Sequence, residues 1–163
     1  MNSEKTKMRY CFDTCALANS WRRHYRIKSF PGVWDHIGNL MDAHDIVVPE
    51  EVEKELGVGK DDLVAWFKRY RACVIPINQD QLKIVSVIVN KYPLVSRYKA
   101  PRPFHADPFL VALAKLDGRI VVTDEVKSGN SNHPAVPDLC KEYDVKCCNM
   151  AQFFELEGLI FRI

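Results

Sequence analysis

Residues 9–14 of the chain read RYCFDT, and residues 120–125 read IVVTDE. Each stretch contains three or four mostly apolar residues and then an acid or a threonine. Residues 46–48, IVV, form a similar run that is followed by Pro49. Short apolar runs of this kind are typical of strands that are buried on both faces of a parallel sheet. The sequence therefore predicts that these segments are inner strands of one sheet.

Segments with helical periodicity separate the apolar runs. Residues 31–41 carry Trp34, Ile37 and Met41 at helical spacing, and Pro31 suits the first turn of that helix. Alternating strands and helices indicate an α/β domain with a central parallel sheet and helices on both faces. The pattern predicts strands at 9–12, 46–48, 73–75, 120–122 and 145–148, and helices from 31, 50–56, from 61, from 78 or 80, 109–116, 139–143 and 149–156.

The 163 residues correspond to one domain, 1–163, because two domains of ordinary size would need a longer chain. The net charge of +2 identifies no partner. The apolar runs are far shorter than the ~20 residues that cross a bilayer, and the polar start predicts no signal peptide. Six cysteines without a CxxC pair are interpreted as reduced thiols of a cytoplasmic protein, with zinc as a minor alternative.

Acidic residues lie where several strands are predicted to end. Asp13 follows the first strand, a Glu-rich helix follows Pro49, and Asp124 and Glu125 follow residues 120–122. Asp107 begins a predicted helix. The carboxyl ends of parallel strands share one edge of the sheet, so we expect these acids to converge. Clustered carboxylates suit hard cations such as Mg²⁺ or Mn²⁺, which support phosphodiester hydrolysis by activated water.

Each acid also has a purely structural interpretation. Asp107 and Pro108 fit the N-cap and the first position of a helix, and Asp13 has that explanation only if a helix begins at Thr14. Asp124 with Glu125 suits a surface turn. We expect the remaining acids of the Glu-rich helix to lie on a solvated face, namely Glu50, Glu51 and Glu53.

Two stretches rich in basic and aromatic residues flank the proposed ligands. Residues 21–28 follow Asp13, and residues 97–105 precede Asp107. Their cations suit phosphates, and their aromatic rings suit unpaired bases. A solvated loop with its rings in the core is an equal alternative. The candidate nucleic-acid contacts are Arg22, Arg23, Tyr25, Arg102 and His105, with Trp21, Tyr98 and Phe104 as further rings. Lone loop histidines such as His24 and His133 are more often neither ligands nor acid–base groups, and Trp34 and Trp66 are expected in the core.

Four segments together resemble the PIN-domain nucleases. Residues 12–15, FDTC, resemble the first-strand signature, although Cys15 stands where that family usually has Asn. Residues 48–56, VPEEVEKEL, match the segment in which the functional acid follows Pro by six residues, which selects Glu55. Residues 106–114, ADPFLVALA, resemble the helix of the third acid. Residues 121–125, VVTDE, resemble the last segment, where the family's Asp corresponds to Glu125 and Asp124 is the alternative.

This resemblance, closest to a small bacterial branch of unknown function, implies a Mg²⁺- or Mn²⁺-dependent ribonuclease. It implies that Asp13, Glu55, Asp107 and Glu125, or Asp124, hold the metal, and that Thr14 or Thr123 supports a ligand. Many such proteins are homodimeric toxins of toxin–antitoxin pairs, so an antitoxin partner is also implied. Two alternatives remain open. The first is a catalytically silent module that binds RNA or protein. The second is a phosphatase, an interpretation with less support because the chain has no second acid two residues after Asp13.

Overall fold

The computed structural model describes residues 7–92 and 105–162 of the chain. Five parallel strands form one sheet in the order β3-β2-β1-β4-β5. Neighbouring strands pair in parallel throughout. The strands are β1 (Tyr10–Phe12), β2 (Ile46–Pro49), β3 (Val74–Ile75), β4 (Ile120–Val122) and β5 (Cys147–Cys148).

Eight α-helices accompany this sheet within the described residues, which confirms the predicted α/β class. None of the helices in 7–92 and 105–162 is long and apolar enough to cross a membrane. A five-residue π-helical turn, Ser20–His24, continues the first helix, and a 3₁₀ helix, Lys68–Cys73, leads into β3. The α-helices are α1 (Thr14–Asn19), α2 (Pro31–Asp42), α3 (Glu50–Val58), α4 (Asp62–Phe67), α5 (Gln79–Lys91), α6 (Asp107–Asp117), α7 (Val136–Glu142) and α8 (Met150–Leu156).

The core forms on both faces of β1, the middle strand of the sheet. All three residues of β1 are completely buried. The Tyr10 and Phe12 rings both contact Phe153 of α8 edge-on. Trp34 and Trp66 are buried and pack together, as the sequence predicts. A strand buried on both faces needs apolar side chains at every position, which explains why β1 shows no polar alternation.

Several helix boundaries differ from the sequence prediction. Asp107 is the first residue of α6 and Ala106 is its N-cap, so the predicted N-cap role of Asp107 is wrong. Pro108 then occupies the second position, where its missing N–H costs no helical hydrogen bond. Helix α7 begins at Val136, three residues earlier than predicted, with Pro137 in its first turn. Strand β3 starts at Val74 and β5 at Cys147, because the residues before them adopt 3₁₀ and loop conformations.

The order of the strands determines where a site can form. The chain proceeds from β1 to β2 and β3 on one side, and then returns to add β4 and β5 on the other side of β1. Such a reversal creates a crevice beyond the carboxyl ends of the two strands that flank it. Here these strands are β1 and β4, and Phe12 pairs with Val122 in register. The next residues, Asp13 and Thr123, therefore emerge side by side at this crevice.

Candidate functional site

A cleft of about 210 Å³ lies at the carboxyl ends of β1 and β4. Four carboxylates from four separate chain segments line it, together with Thr14, Cys15, Asn19 and His105. The four acids are Asp13, Glu55, Asp107 and Glu125. The structure thus brings together the four acids that sequence analysis singled out, although they lie up to 112 positions apart along the chain. We refer to this region as the acid cleft.

Asp13 is the most buried of the four acids and is only 3% exposed. It is the N-cap residue of α1, yet its carboxylate makes no capping hydrogen bond. Instead, Asp13 Oδ2 accepts hydrogen bonds from Thr123 Oγ1 at 2.7 Å and from Cys15 Sγ at 3.1 Å. Burial raises the pKa of Asp13 to about 6; the two hydrogen bonds oppose this shift, and the charges of Glu125 and Glu55 add to it.

Cys15 joins this network from the first turn of α1. Its Sγ lies 3.3 Å from Thr123 Oγ1 and accepts a hydrogen bond from the Asp124 backbone amide at 3.3 Å. Burial raises the pKa of the Cys15 thiol well above its ordinary value, and the nearby Asp13 charge acts in the same direction. The protonated thiol therefore serves as a hydrogen-bond donor to Asp13.

Glu55 reaches the acid cleft from α3 and is held at both carboxylate oxygens. Thr14 Oγ1 donates to Oε2 at 2.6 Å, and the Ala106 amide donates to Oε1 at 3.0 Å. These two contacts tie the start of α1 and the start of α6 to the same carboxylate. The other acids of α3 do not line the cleft. Glu51 is nevertheless buried and paired with Lys54, so the expectation that it lies on a solvated face is wrong.

Glu125 and Asp124 occupy different environments, although they are adjacent in sequence. Glu125 lines the acid cleft, and its Oε2 accepts a hydrogen bond from the Val136 amide at 3.0 Å. The Glu125 amide in turn donates to Thr123 Oγ1 at 3.1 Å. Asp124 is exposed, and its Oδ2 accepts a 2.7 Å hydrogen bond from Asn19. Of the two acids, Glu125 therefore has the geometry of a ligand in this cleft.

The donor atoms in the acid cleft fit a divalent cation. A carboxylate oxygen of Asp13, a carboxylate oxygen of Glu125 and Cys15 Sγ lie within 4.8 Å of one another. The protonated Cys15 thiol supports Asp13 rather than a cation, so the two carboxylates are the ligands that this group offers. With Glu55 and Asp107 in the same cleft, the donors are mostly carboxylate oxygens, the set that Mg²⁺ and Mn²⁺ prefer. A bound cation would also neutralise the repulsion among the carboxylates that contributes to the raised pKa of Asp13.

The first basic-aromatic stretch begins in a helical turn, and its second half, residues 25–28, forms a loop. The turn Ser20–His24 is π-helical, and Trp21 is buried against Trp34 and Trp66, so it does not offer a free face for a base. Tyr25 is half-buried and packs against Phe154. These two rings follow the alternative interpretation, in which the aromatic residues fold into the core.

The basic side chains of this stretch lie outside the acid cleft. Arg22 Nε donates to Asp61 Oδ2 at 2.6 Å, beside a groove of about 580 Å³ that Arg26 and Lys28 also line. Arg23 is exposed. His105, by contrast, lines the acid cleft. Arg102, Tyr98 and Phe104, which were predicted to contact RNA, lie outside the described residues.

Sequence analysis missed three donors that organise the acid cleft. Asn19 lies four residues after Cys15 on α1, so helical spacing gives a signal that it faces the same side. The other two donors are the backbone amides of Ala106 and Val136. Both belong to segments where a helix begins, and the free N–H groups of such segments bind carboxylates. An amide carries no residue signature, so only the fold reveals which carboxylate it holds.

Comparison with known proteins identifies a family without a described activity. No curated protein matches the chain. The crystal structure of PAE2754 from Pyrobaculum aerophilum resembles it with a TM-score of 0.50 at 13% identity, over 93% of this chain and 98% of that chain, which shows a shared fold only. Residues 10–161 match a family that is described as a domain of unknown function, DUF4411. The match spans nearly the whole chain, and the protein therefore belongs to the DUF4411 family.

Proposed function

We propose that the protein is a Mg²⁺- or Mn²⁺-dependent phosphodiesterase and that its substrate is RNA. The observation that carries this proposal is the convergence of four carboxylates, from the ends of β1 and β4 and from α3 and α6, on one cleft. One of them, Asp13, is almost fully buried. A fold keeps such a costly arrangement when a cation neutralises it.

Each carboxylate has a role in this proposal. Asp13, Glu55, Asp107 and Glu125 hold the cation, which when bound supplies Lewis-acid activation of water and neutralises charge on a phosphodiester. Thr123 orients the Asp13 carboxylate, and Thr14 orients that of Glu55. Hydrogen bonds of this type fix the direction of a ligand and raise its affinity for the metal.

The substrate class rests on the resemblance to PIN-domain nucleases. The exposed side chains of Arg22 and Arg23 would contact the phosphates of RNA outside the cleft, whereas Tyr25, which packs against Phe154, is left out of this surface. His105 would approach the reacting phosphodiester, since it lines the cleft itself. Arg102 remains part of this expected surface. The toxin–antitoxin assignment, with an antitoxin partner and a homodimer, also rests on the resemblance. Light scattering tests the predicted assembly, because it measures the molecular mass of the purified chain alone and of any complex with a co-purified partner.

A cytoplasmic location is part of the same proposal. All six cysteines are free thiols. Free thiols persist in a reducing compartment, and RNA is present there.

A catalytically silent RNA- or protein-binding module is the second candidate function. The observation that favours it is the Cys15 thiol, which occupies a hydrogen-bonding position on Asp13 where the resembling family usually has Asn. Tight, salt-sensitive binding of RNA without metal-dependent cleavage is the expected behaviour of such a module.

The test is cleavage of a mixed RNA pool by the purified protein with Mn²⁺, with Mg²⁺ or with EDTA. Asp13→Asn is compared with Asp80→Asn, a matched variant on α5 whose side chain is largely exposed and outside the cleft. We expect metal-dependent cleavage by the wild type and by Asp80→Asn, and none by Asp13→Asn. Equal activity in all three proteins would contradict the proposal and point to a contaminant.

A further inference from the structure

The loop between β4 and α7 connects Glu125 to a further carboxylate, Asp138, which does not line the acid cleft. Residues 126–132 of this loop are exposed, so side-chain burial contributes little to their position. Hydrogen bonds therefore determine the course of the loop. We refer to residues 126–135 as the rim loop.

Asp138 closes the rim loop with a single carboxylate oxygen. Its Oδ2 accepts a hydrogen bond from the Ser128 amide at 2.9 Å and another from the Ala135 amide at 2.8 Å. One half-buried side chain thus joins an early residue of the loop to its last residue. Hydrogen bonds from backbone amides to a carboxylate are roughly twice as strong as those between neutral groups, so this closure is a firm one.

The same turn of backbone holds Glu125. Ala135 is the N-cap of α7 and Val136 is its first residue, and neither side chain can accept a hydrogen bond. Their adjacent amides bind two different carboxylates: the Ala135 amide donates to Asp138, and the Val136 amide donates to Glu125 Oε2 at 3.0 Å. The Asp138 amide also donates to the Ala135 carbonyl at 3.0 Å. Two hydrogen bonds therefore join Asp138 to Ala135 and orient the Val136 amide that follows it.

Asp138 restricts Glu125 from two directions. Along the chain it holds the Ser128 amide, which belongs to the residue three positions after Glu125. Across the loop it orients the Val136 amide, which binds the Glu125 carboxylate. Without Asp138, the rim loop and the start of α7 lose the group that joins them. The Glu125 carboxylate then has more orientations available, and ordering it on a cation costs more conformational entropy.

We propose that Asp138 is a positioning residue for the cation site, which orients Glu125 through the start of α7 and through the rim loop. This inference rests on the proposed function, because that function assigns Glu125 to the cation. Asp138 lies outside the acid cleft and acts through backbone amides only. Its removal should therefore weaken cation binding although every carboxylate that lines the cleft is still present.

The first experiment measures Mn²⁺ binding to the full chain from the paramagnetic resonance of free Mn²⁺. Asp138→Ala removes the acceptor, whereas Asp138→Asn removes the charge but keeps a carboxamide oxygen that can accept the same amides. We expect Asp138→Ala to weaken Mn²⁺ binding by about tenfold, the lower end of the effect of groups that orient metal ligands. Asp138→Asn should recover most of this loss. Equal losses in the two variants would overturn the proposal, because the negative charge and not the orientation would then be responsible.

The control for a general loss of stability is Gly38→Ala in α2. An added Cβ at Gly38 would lie 2.5 Å from the Tyr70 ring, and neither residue lines the acid cleft. We expect this variant to be less stable than the wild type and to bind Mn²⁺ equally well, and a thermal melt verifies that each variant is folded at the temperature of the binding measurement. Unchanged binding by Asp138→Ala, or an equal loss in Gly38→Ala, would overturn the positioning role.

The second experiment measures hydrogen exchange of the Val136 amide by NMR in EDTA, and so needs no metal. We expect this amide to exchange roughly tenfold faster in Asp138→Ala, the effect of weakening one hydrogen bond to a charged carboxylate. Gly38→Ala should exchange at the wild-type rate, because an amide at a loop end opens locally. An unchanged rate in Asp138→Ala would overturn the proposal. If the wild type binds no Mn²⁺, the proposed function and the effect on the cation both fail, while the exchange rate still decides whether Asp138 orients the amide that holds Glu125.

Discussion

Thr123 Oγ1 donates a 2.7 Å hydrogen bond to Asp13 Oδ2 across the boundary between β1 and β4. Both residues are buried, and each follows the last residue of its strand. The in-register pairing of Phe12 with Val122 determines this contact. The same register is continued by the Asp13 amide, which donates to the Val122 carbonyl at 2.9 Å. Sheet pairing therefore orients the most buried acid of the cleft.

Replacing Thr123 with Val removes this hydrogen bond and nearly preserves the side-chain volume. We expect RNA cleavage to fall by roughly 10- to 100-fold, because the carboxylate loses the group that orients it. The free energy of unfolding should also fall by about 1–3 kcal/mol, since a buried acceptor loses a partner. Thr123→Ser keeps the hydroxyl and should recover most of the activity. Full activity in Thr123→Val would show that the hydrogen bond does not matter for catalysis.

The raised pKa of Asp13 predicts that ionisation of this acid at neutral pH lowers the free energy of unfolding of the metal-free protein. The pKa is 3.8 without perturbation and about 6 in the folded state, so folding favours the protonated acid. The stabilisation from this proton is complete below pH 3.8 and is lost as pH rises through 6. Asp13→Asn cannot ionise. Its free energy of unfolding should therefore exceed that of the wild type by on the order of 2–3 kcal/mol at pH 7, and the excess should shrink towards pH 4.

Urea unfolding in EDTA at several pH values measures this difference. Asp80→Asn is the control, because it makes the same chemical change at a largely exposed side chain outside the acid cleft. A difference between Asp13→Asn and the wild type that does not vary between pH 4 and pH 7 would contradict the assignment of the shift to Asp13.

The environments of Glu125 and Asp124 predict opposite outcomes for two neighbouring amide substitutions. Glu125→Gln removes a carboxylate that lines the cleft, and we expect at least about a hundredfold loss of metal-dependent RNA cleavage. Asp124→Asn changes a carboxylate that is bound to Asn19, and cleavage should remain close to that of the wild type. Initial rates at matched Mn²⁺ concentration measure both effects. A larger loss in Asp124→Asn would assign the ligand role to Asp124 instead.

The sequence predicts the sheet and the convergence of acids well, because both follow from local patterns. Apolar triplets reveal the buried strands, and an acid at a strand end must lie at the carboxyl edge. The resemblance to PIN-domain nucleases, in which the functional acid follows Pro by six residues, selects Glu55, and Glu55 is the α3 acid that lines the cleft. The parallel arrangement then brings the acids together without further information.

Contacts between distant residues could not be predicted in this way. Arg22 pairs with Asp61, 39 residues away, and the pairing depends on how the π-helical turn packs near α4. Trp21 could face either solvent or core, because an aromatic ring in a basic stretch suits both.

Gly38 provides a test of the packing of α2 against Tyr70. A Cβ at Gly38 would lie 2.5 Å from the Tyr70 ring, which also contacts Trp66 at 4.7 Å between centroids. Gly38→Ala should therefore lower the free energy of unfolding by about 1–3 kcal/mol, because the ring must move within a packed aromatic cluster. Gly32→Ala is the matched control on the same helix, since nothing lies within 4 Å of its Cβ position. It should be neutral or stabilising by up to about 1 kcal/mol, as expected from helix propensity. Chemical denaturation of both variants measures the contrast, and equal stabilities would contradict the close packing of α2 against Tyr70.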